Sequence, residues 1–511
     1  MRVRRSILTM GTHALFMAVT MAVSLPATPY LILWIGETGY GGVKVVNEAF
    51  GWLGLLEMGL GGALGPLLAG AYGRGDHRAT HETIAAGSRA YLRVALAGVA
   101  VGLLLTPVVP WFARGLNPAQ MTDLRRGWMI QLLAFVPLGL LPLRSVLDAR
   151  QLTYVINLLL VGQSLVITGT SLVLAYAGWG ITGQAAAQVA GAWAFGLALA
   201  VGAFRTEPGL LRAIVTVPTT PATRRALRDL SGPALWLNLT GRVGLLSDNL
   251  IVGNILGLRM VTSLVNTQKL VLMGQSLLIA VGGASWAALA ELHSQGEHET
   301  FNRRVVEMTR MVAVIALIGL VPVVAFNHAF FRIWLGPGRP YGGDLVTALA
   351  ALNALLLATQ SLWCWCFTAT GKIRAVVPQV TASAAVNIVI SISMTRWLGL
   401  PGPLIGSTAA LVGVGLWAMP WLLYTTFGTP PAALAKALGG PLAAGLVSAW
   451  VLRALVRAHP PTGWAGLTAG MSASALVILG LSVSLLLTRE DRALWRLRVA
   501  GLVGGRRGAG S

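Results

Sequence analysis

Long apolar stretches alternate with short polar stretches along almost the whole chain. A run of about 20 residues with few charges can cross the hydrocarbon core of a bilayer, about 30 Å thick, as one α-helix. The pattern therefore predicts an all-α polytopic membrane protein with about fourteen transmembrane helices. The predicted helices lie at residues 6–34, 43–71, 91–113, 127–147, 153–176, 181–203, 233–256, 260–290, 308–331, 344–369, 375–397, 403–427, 438–456 and 463–487.

The longest interruption of this pattern is a polar, basic, proline-containing segment at residues 205–232. Such a segment is typical of a linker between domains. It predicts an N-lobe of helices 1–6 at residues 1–204, a cytoplasmic linker, and a C-lobe of helices 7–12 at residues 233–430. Helices 13 and 14 then occupy residues 431–488, and a basic cytoplasmic tail occupies residues 489–511.

Short motifs of the first half of the chain recur in the second half at a constant distance. The turn Gly75-Asp76-His77 returns as Gly296-Glu297-His298, and Gly178 returns as Gly399, each 221 positions later. Six helices per half is an even number, so both halves enter the membrane with the same orientation. The pattern predicts a parallel repeat, an architecture typical of transporters.

Composition agrees with a membrane protein: 55% of residues are hydrophobic, 11% are charged and the mean hydropathy is +0.72. An ordinary soluble domain carries about a quarter charged residues. The net charge of +21 comes from arginines and lysines in short loops, which argues against a nucleic-acid-binding face. Most of these cations lie on the side of the N-terminus, so the positive-inside rule predicts both termini in the cytoplasm.

The sequence offers little for catalysis. Cys364 and Cys366 are too close for a relaxed disulfide and have no further ligand at metal spacing, so we interpret both as packing residues. No nucleotide-binding glycine loop is present, and the longest outer loops, 113–127 and 332–344, are short. We expect neither an enzyme nor a metal or organic cofactor.

Several motifs resemble those of the bacterial polysaccharide and O-antigen flippases, which belong to the multidrug/oligosaccharidyl-lipid/polysaccharide (MOP) exporter superfamily. Glu57 stands where those flippases usually have aspartate. The similar segments are Gly39-Tyr40-Gly41, residues 52–61, Gly73-Arg74-Gly75-Asp76, residues 247–253, Gly371-Lys372, Asn387 and residues 399–402.

The resemblance implies two six-helix lobes around a central V-shaped cavity. It also implies that a lipid-linked oligosaccharide moves from the inner to the outer leaflet of the bacterial cytoplasmic membrane by alternating access, for surface polysaccharide or envelope assembly. The implied partners are a polyprenyl-(pyro)phosphate-linked oligosaccharide, membrane lipid and a polysaccharide polymerase or export machinery. A lipid II flippase and a cation-coupled multidrug or metabolite exporter of the same fold remain alternatives, and a scaffolding membrane protein is a third class.

Two cations fall near the middle of predicted helices, Arg242 and Lys269. Charged groups at that depth are costly and tend to face a wet cavity or a partner. An arginine fork and a lysine suit the oxygens of a pyrophosphate, so both are candidate substrate-binding residues. Helix-to-helix pairing with Asp248 or Glu57 is the equally open alternative.

Polar residues near these cations complete the candidate site. Asn249, Gln268 and Gln275 could line the central cavity and meet sugar hydroxyls, or they could bond between helices. Glu57 and Asp248 are candidates for coupling transport to Na⁺ or H⁺, because a carboxylate near the midplane can change its charge. Lys44 and Glu48, four residues apart, predict a local ion pair.

The second predicted helix is rich in glycine. Small residues permit close helix approach, and a proline can break a helix. Gly59, Gly61, Gly62 and Pro66 are therefore candidate hinge residues for a rocking motion, with simple membrane packing as the alternative.

Overall fold

The computed structural model describes residues 2–54, 58–225, 227, 229, 236, 247–284 and 286–486. Every regular element in these ranges is a helix, which confirms the all-α class. The α-helices are α1 (Arg2–Gly54), α2 (Met58–Gly73), α3 (His77–Leu105), α4 (Pro118–Leu132), α5 (Pro142–Ala149), α6 (Thr153–Tyr176), α7 (Gly180–Thr206), α8 (Leu210–Thr216), α9 (Asp248–Ile255), α10 (Leu258–Thr267), α11 (Lys269–Ala284), α12 (Trp286–Ser294), α13 (His298–Leu335), α14 (Asp344–Ala369), α15 (Val377–Leu398), α16 (Gly402–Ala410), α17 (Leu416–Phe427), α18 (Pro431–Ala458) and α19 (Trp464–Leu481).

Eleven helical segments in the described part of the chain are long and apolar enough to cross a membrane. Helix α1 contains predicted helix 1 and the first part of predicted helix 2, joined at Gly36, where φ is 75°. Much of predicted helix 7 lies outside the described residues. The described residues of predicted helix 8 belong to α10, α11 and α12, and the helix breaks between α10 and α11 at Gln268.

The chain forms two compact units. Unit 1 consists of Met1–Ser263 with Ser391–Pro403, and unit 2 consists of Leu264–Ile390 with Leu404–Ser511. In unit 1, α6 packs against α1 and α7, and α2 packs against α3 and α5. Its core includes the fully buried side chains of Leu68, Ile84 and Leu199. The predicted domain limits stay a prediction.

In unit 2, α13 packs against α14, α18 and α19. The buried indole of Trp363 donates a hydrogen bond of 3.0 Å to Thr309 Oγ1, which joins α14 to α13. Helices α18 and α19 correspond to predicted helices 13 and 14. They bury Leu317 and Val321 of α13 in a small apolar cluster with Ile478.

The predicted repeat is visible in the backbone. Glycines at the ends and breaks of helices adopt positive φ, a conformation that side chains with a Cβ disfavour. Four pairs of these glycines are each 221 positions apart: Gly36 and Gly257, Gly75 and Gly296, Gly115 and Gly336, and Gly178 and Gly399. The offset expected from the sequence therefore recurs in the turns that join the helices.

One pair of acids at the same offset has different contacts. Asp123 of α4 accepts hydrogen bonds from the N–H groups of Ile181 (2.6 Å) and Thr182 (3.1 Å), and so caps α7. Asp344 stands 221 positions later and pairs with Arg453 and, at 3.2 Å, with Arg457 of α18.

Candidate functional site

A buried carboxylate of α1 caps the short helix α9 in unit 1. Oε1 of Glu48 accepts hydrogen bonds from the backbone N–H groups of Asn249 (3.0 Å) and Leu250 (3.4 Å). Oε2 accepts from the side-chain amide of Asn249. The first N–H groups of a helix have no partner within the helix, and they favour a negative charge. Ser247 provides no side-chain cap here, so Glu48 takes that role from another helix.

A second acid lies beside the first. Oδ1 of Asp248 is buried and accepts no hydrogen bond from any residue that the structure describes. Asp248 lies close enough to Glu48 for the two carboxyl groups to interact electrostatically. The ion pairs described in unit 1 involve other acids, namely Glu37, Asp148 and Glu207. Two buried acids at one site favour the uptake of a proton or a cation.

Glycines allow α1 to approach this site closely. A Cβ on Gly41 would lie well inside van der Waals contact of the Leu258 carbonyl oxygen, at the start of α10. One turn further, Thr262 donates a hydrogen bond of 2.6 Å to the Glu37 carbonyl, and Arg259 pairs with the Glu37 carboxylate at 2.7 Å. These contacts fix α1 against α9 and α10 and hold Glu48 at the helix start.

In unit 2, the polar residues surround a break in the chain between α10 and α11. Buried Asn327 of α13 donates hydrogen bonds of 2.8 Å to the carbonyl of Thr267 and to Oγ1 of Thr347. Thr267 Oγ1 accepts the N–H of Gly342 at 2.8 Å. A helix break at membrane depth requires such partners, because lipid cannot satisfy the freed backbone groups.

The predicted cavity residues of unit 2 lie at or after this break. Gln268 is buried at the break itself, and Lys269 is the half-buried first residue of α11. Gln275 follows on α11 and is also half-buried. Buried Asn266 has a side-chain oxygen without a hydrogen-bond partner among the described residues. Gln268, Lys269 and Gln275 therefore belong to one continuous segment of unit 2.

Other predicted residues have different positions. Arg242 and Glu57 lie outside the described residues, so their proposed roles stay predictions. Asn249 and Asp248 both belong to the start of α9 in unit 1. Gly59, Gly61, Gly62 and Pro66 lie within α2, which is helical from Met58 to Gly73, and their hinge role is likewise a prediction.

The local pair predicted between Lys44 and Glu48 is wrong. Lys44 lies over the ring of Tyr40, 4.7 Å from its centroid, and the Glu48 carboxylate turns to α9. Sequence reasoning also missed Asn327, because a lone asparagine in an apolar helix carries no spacing signal. The signal for Glu48 was its position beside glycines that permit a close helix approach.

The chain matches no family model and no curated protein. Its fold is nonetheless similar to several solved structures. A lipid II flippase, MurJ, in an inward closed conformation has a TM-score of 0.70 at 12% identity, covering 95% of this chain and 98% of its own.

Two further structures are similar over less of the chain. An inward-facing multidrug-resistance MATE family transporter has a TM-score of 0.63 at 14% identity, covering 80% of this chain and 99% of its own. A MOP superfamily transporter from Pyrococcus furiosus, described as having a binding pocket of reverse polarity, has a TM-score of 0.58 at 12% identity, covering 81% of this chain and 96% of its own. The chain therefore has the polytopic all-α fold of MOP superfamily transporters.

Proposed function

We propose that this protein is a flippase that moves a lipid-linked oligosaccharide from the inner to the outer leaflet of the bacterial cytoplasmic membrane. Substrate would be exposed to each side in turn by alternating access, without catalysis of a covalent step. The product would feed surface polysaccharide or envelope assembly, where a polymerase or export machinery would take it over.

One observation carries this proposal over drug export. The lipid II flippase structure covers 95% of the chain, whereas the multidrug transporter covers 80% and is itself covered almost completely. The difference is about the length of residues 431–511, which contain α18 and α19. The match to the flippase over more of the chain favours a flippase of long lipid-linked substrates, with α18 and α19 as the candidate additional helices.

The charge of the candidate site supports the same choice. A site for organic cations should be net acidic, whereas Arg242 and Lys269 are cations suited to a phosphate or pyrophosphate. Asn249, Gln268 and Gln275 would contact the sugar. A lipid II flippase, whose substrate is also a lipid-linked sugar, and a cation-coupled multidrug or metabolite exporter are the alternatives.

Coupling to Na⁺ or H⁺ has a concrete location in this proposal. The Glu48 and Asp248 pair at the start of α9 would take up the cation, in addition to the role predicted for Glu57. Neutralising one acid would change how firmly α1 holds α9, because a carboxylate stabilises the positive helix end more than a neutral group does.

The test is export of surface polysaccharide in a deletion strain that carries the wild-type gene or a variant. We expect Arg242→Ala and Lys269→Ala to abolish most export, because each removes a cation from the substrate phosphates. Glu48→Gln and Asp248→Asn should reduce export and weaken its dependence on the Na⁺ or H⁺ gradient. Export is measured as polymer per cell.

Glu299→Gln, an exposed acid at the start of α13, is the matched control and should export normally. Membrane levels of every variant are compared by immunoblot, since only folded variants are informative. Normal polymer in the deletion strain, together with increased sensitivity to cationic drugs, would replace the flippase with an exporter. Loss of lipid II translocation in that strain would favour the lipid II alternative.

A further inference from the structure

A cavity of about 730 Å³ opens at one end of unit 2. It lies where α13 ends, α14 begins, α18 ends and α19 begins, so it is built from four helix ends. The orientation predicted from the loop charges puts this end on the outer face of the membrane. Among the described residues, none of those assigned to substrate binding or ion coupling lines it.

The polar lining of this cavity is mainly cationic. Arg332, Arg453 and Arg457 line it together with one acid, Asp344. Asp344 pairs with Arg453 and, at 3.2 Å, with Arg457, and thereby orients both guanidinium groups. Arg332 is exposed and forms no ion pair with any residue in the described part of the chain. The lining therefore carries positive charge that the acids in the described part of the chain do not neutralise.

The cavity has aromatic and apolar lining residues of the kinds that are typical of the depth of lipid headgroups. Trp464, the first residue of α19, lines it and packs edge-on against Phe330, with ring centroids 6.1 Å apart. Tryptophans at helix ends are typical of the membrane–water interface. Apolar lining residues such as Ile333 and Val456 lie beside the arginines, so one site offers contacts to a charged head and to an acyl chain.

A histidine of α13 forms part of the cavity wall. His328 lines it and is stacked on Tyr341, with ring centroids 5.0 Å apart. The Tyr341 hydroxyl lies 2.8 Å from Thr347 Oγ1, and burial raises the pKa of Tyr341 to about 12. Tyr341 therefore stays neutral at neutral pH, and the charge of the site comes from the three arginines and Asp344.

We propose that this cavity binds the phosphate group of an anionic membrane lipid, with Arg332 and Arg457 as the phosphate ligands. Arg453 stays paired with Asp344. Guanidinium groups bind phosphate oxygens in a bidentate way, and basic pockets between membrane helices bind lipid headgroups. The bound lipid would join α18 and α19 to α13 at the outer face. The site is separate from the proposed central substrate site.

Lipid binding to the purified full-length protein tests this inference. Phosphatidylglycerol, phosphatidylcholine and inorganic phosphate are titrated separately and followed by native mass spectrometry. We expect wild type to bind phosphatidylglycerol in preference to phosphatidylcholine. The double variant Arg332→Gln/Arg457→Gln should weaken phosphatidylglycerol binding by about tenfold or more, since each cation contributes appreciably to attraction of an anionic lipid.

The control is Arg396→Gln, which removes an exposed arginine at the end of α15, on the same predicted face. This variant should bind phosphatidylglycerol as wild type does. If the double variant unfolds, the single variant Arg332→Gln is used for the same binding measurement. Arg332 forms no ion pair with the described residues, so its substitution removes no such contact from the fold. Equal binding by the control and the cavity variants would overturn the site. Displacement of phosphatidylglycerol by inorganic phosphate at similar concentrations would make the ligand a free anion and overturn the lipid assignment.

Discussion

Glu207, the residue that follows α7, is an almost completely buried acid with several partners. Its carboxylate pairs with Arg150 and lies 3.5 Å from His77 and 3.8 Å from His81. Tyr72 donates a hydrogen bond to it at 3.3 Å and also lies under the Arg150 guanidinium. This cluster joins the ends of α2, α5 and α7 to the start of α3.

The equivalent junction of unit 2 uses different chemistry. His293 stands 221 positions after Tyr72, and its ring packs edge-on against Phe427 at 5.6 Å. Lys372 lies over the same phenylalanine ring, 4.9 Å from its centroid. The repeat thus keeps the position of the junction while an aromatic cluster replaces the buried carboxylate.

This replacement makes unit 2 sensitive to acid at His293. Burial, together with the charge of Lys372 and of His298, lowers the pKa of His293. The unfolded chain therefore binds a proton at His293 more readily than the folded one, and folding stability should fall as the pH drops below about 6.5. We expect His293→Phe, which keeps the ring contacts, to lose part of this pH dependence. Melting temperatures of both proteins at pH 7.5 and 5.5 provide the measurement.

His298→Phe is a useful comparison, because it removes a neighbouring charge and leaves the His293 titration in place. If the melting temperature fell by the same amount from pH 7.5 to 5.5 in wild type and in His293→Phe, His293 would not be the source of the acid sensitivity.

At the scale of elements, the contact between α1 and α10 depends on one glycine. Gly41→Ala would bring a Cβ against the backbone of Leu258, and backbone cannot yield as a flexible side chain can. We expect a destabilisation of roughly 1–3 kcal/mol, as for other overpacked sites. Because this contact holds Glu48 at α9, export should fall as well. Thermal unfolding followed by tryptophan fluorescence measures the first effect.

Gly39→Ala is the matched control, two residues away on the same helix. A Cβ there meets only Ile35 of its own helix, at an ordinary 3.6 Å. Removing a helical glycine should then stabilise the protein by up to about 1 kcal/mol. Equal destabilisation by both substitutions would show that the close approach at Gly41 does not matter.

The limits of a helix were predictable from the sequence where they depend only on the length of an apolar run. The predicted limits for helix 5, residues 153–176, coincide with α6, because loop residues bound that apolar run on both sides. The break at Gln268 was not predictable, since it depends on Asn327, some 60 positions away, to satisfy the freed Thr267 carbonyl. Likewise the partner of Glu48 required the contact between α1 and α9.

At the scale of the whole molecule, the bias of arginines and lysines predicts a topology. Single cysteines are introduced into a variant without natural cysteines, and intact cells are treated with a membrane-impermeant maleimide. Only cysteines on the outer side of the membrane should react. Ala119→Cys and Thr462→Cys, in predicted outer loops, should be labelled. Gln295→Cys and Thr216→Cys, on the predicted cytoplasmic side, should be labelled only after permeabilisation. The extent of labelling is read from a gel shift.

All four substituted residues are exposed, so accessibility to the reagent depends on the side of the membrane. The natural cysteines, Cys364 and Cys366 of α14, are removed as Cys364→Ala and Cys366→Ala, and retained export verifies that this background is folded. The reverse labelling pattern would place both termini outside and would overturn the orientation.

Pro403 occupies the position equivalent to Thr182, whose N–H helps to hold Asp123 in unit 1. A proline has no backbone N–H, so this position cannot donate to Asp344 as Thr182 donates to Asp123. In a chain with two similar halves, an acid that caps a helix in one half can therefore have different partners in the other. Here those partners are Arg453 and Arg457, so the acid that caps a helix in unit 1 has a counterpart in unit 2 that attaches α18 to the start of α14.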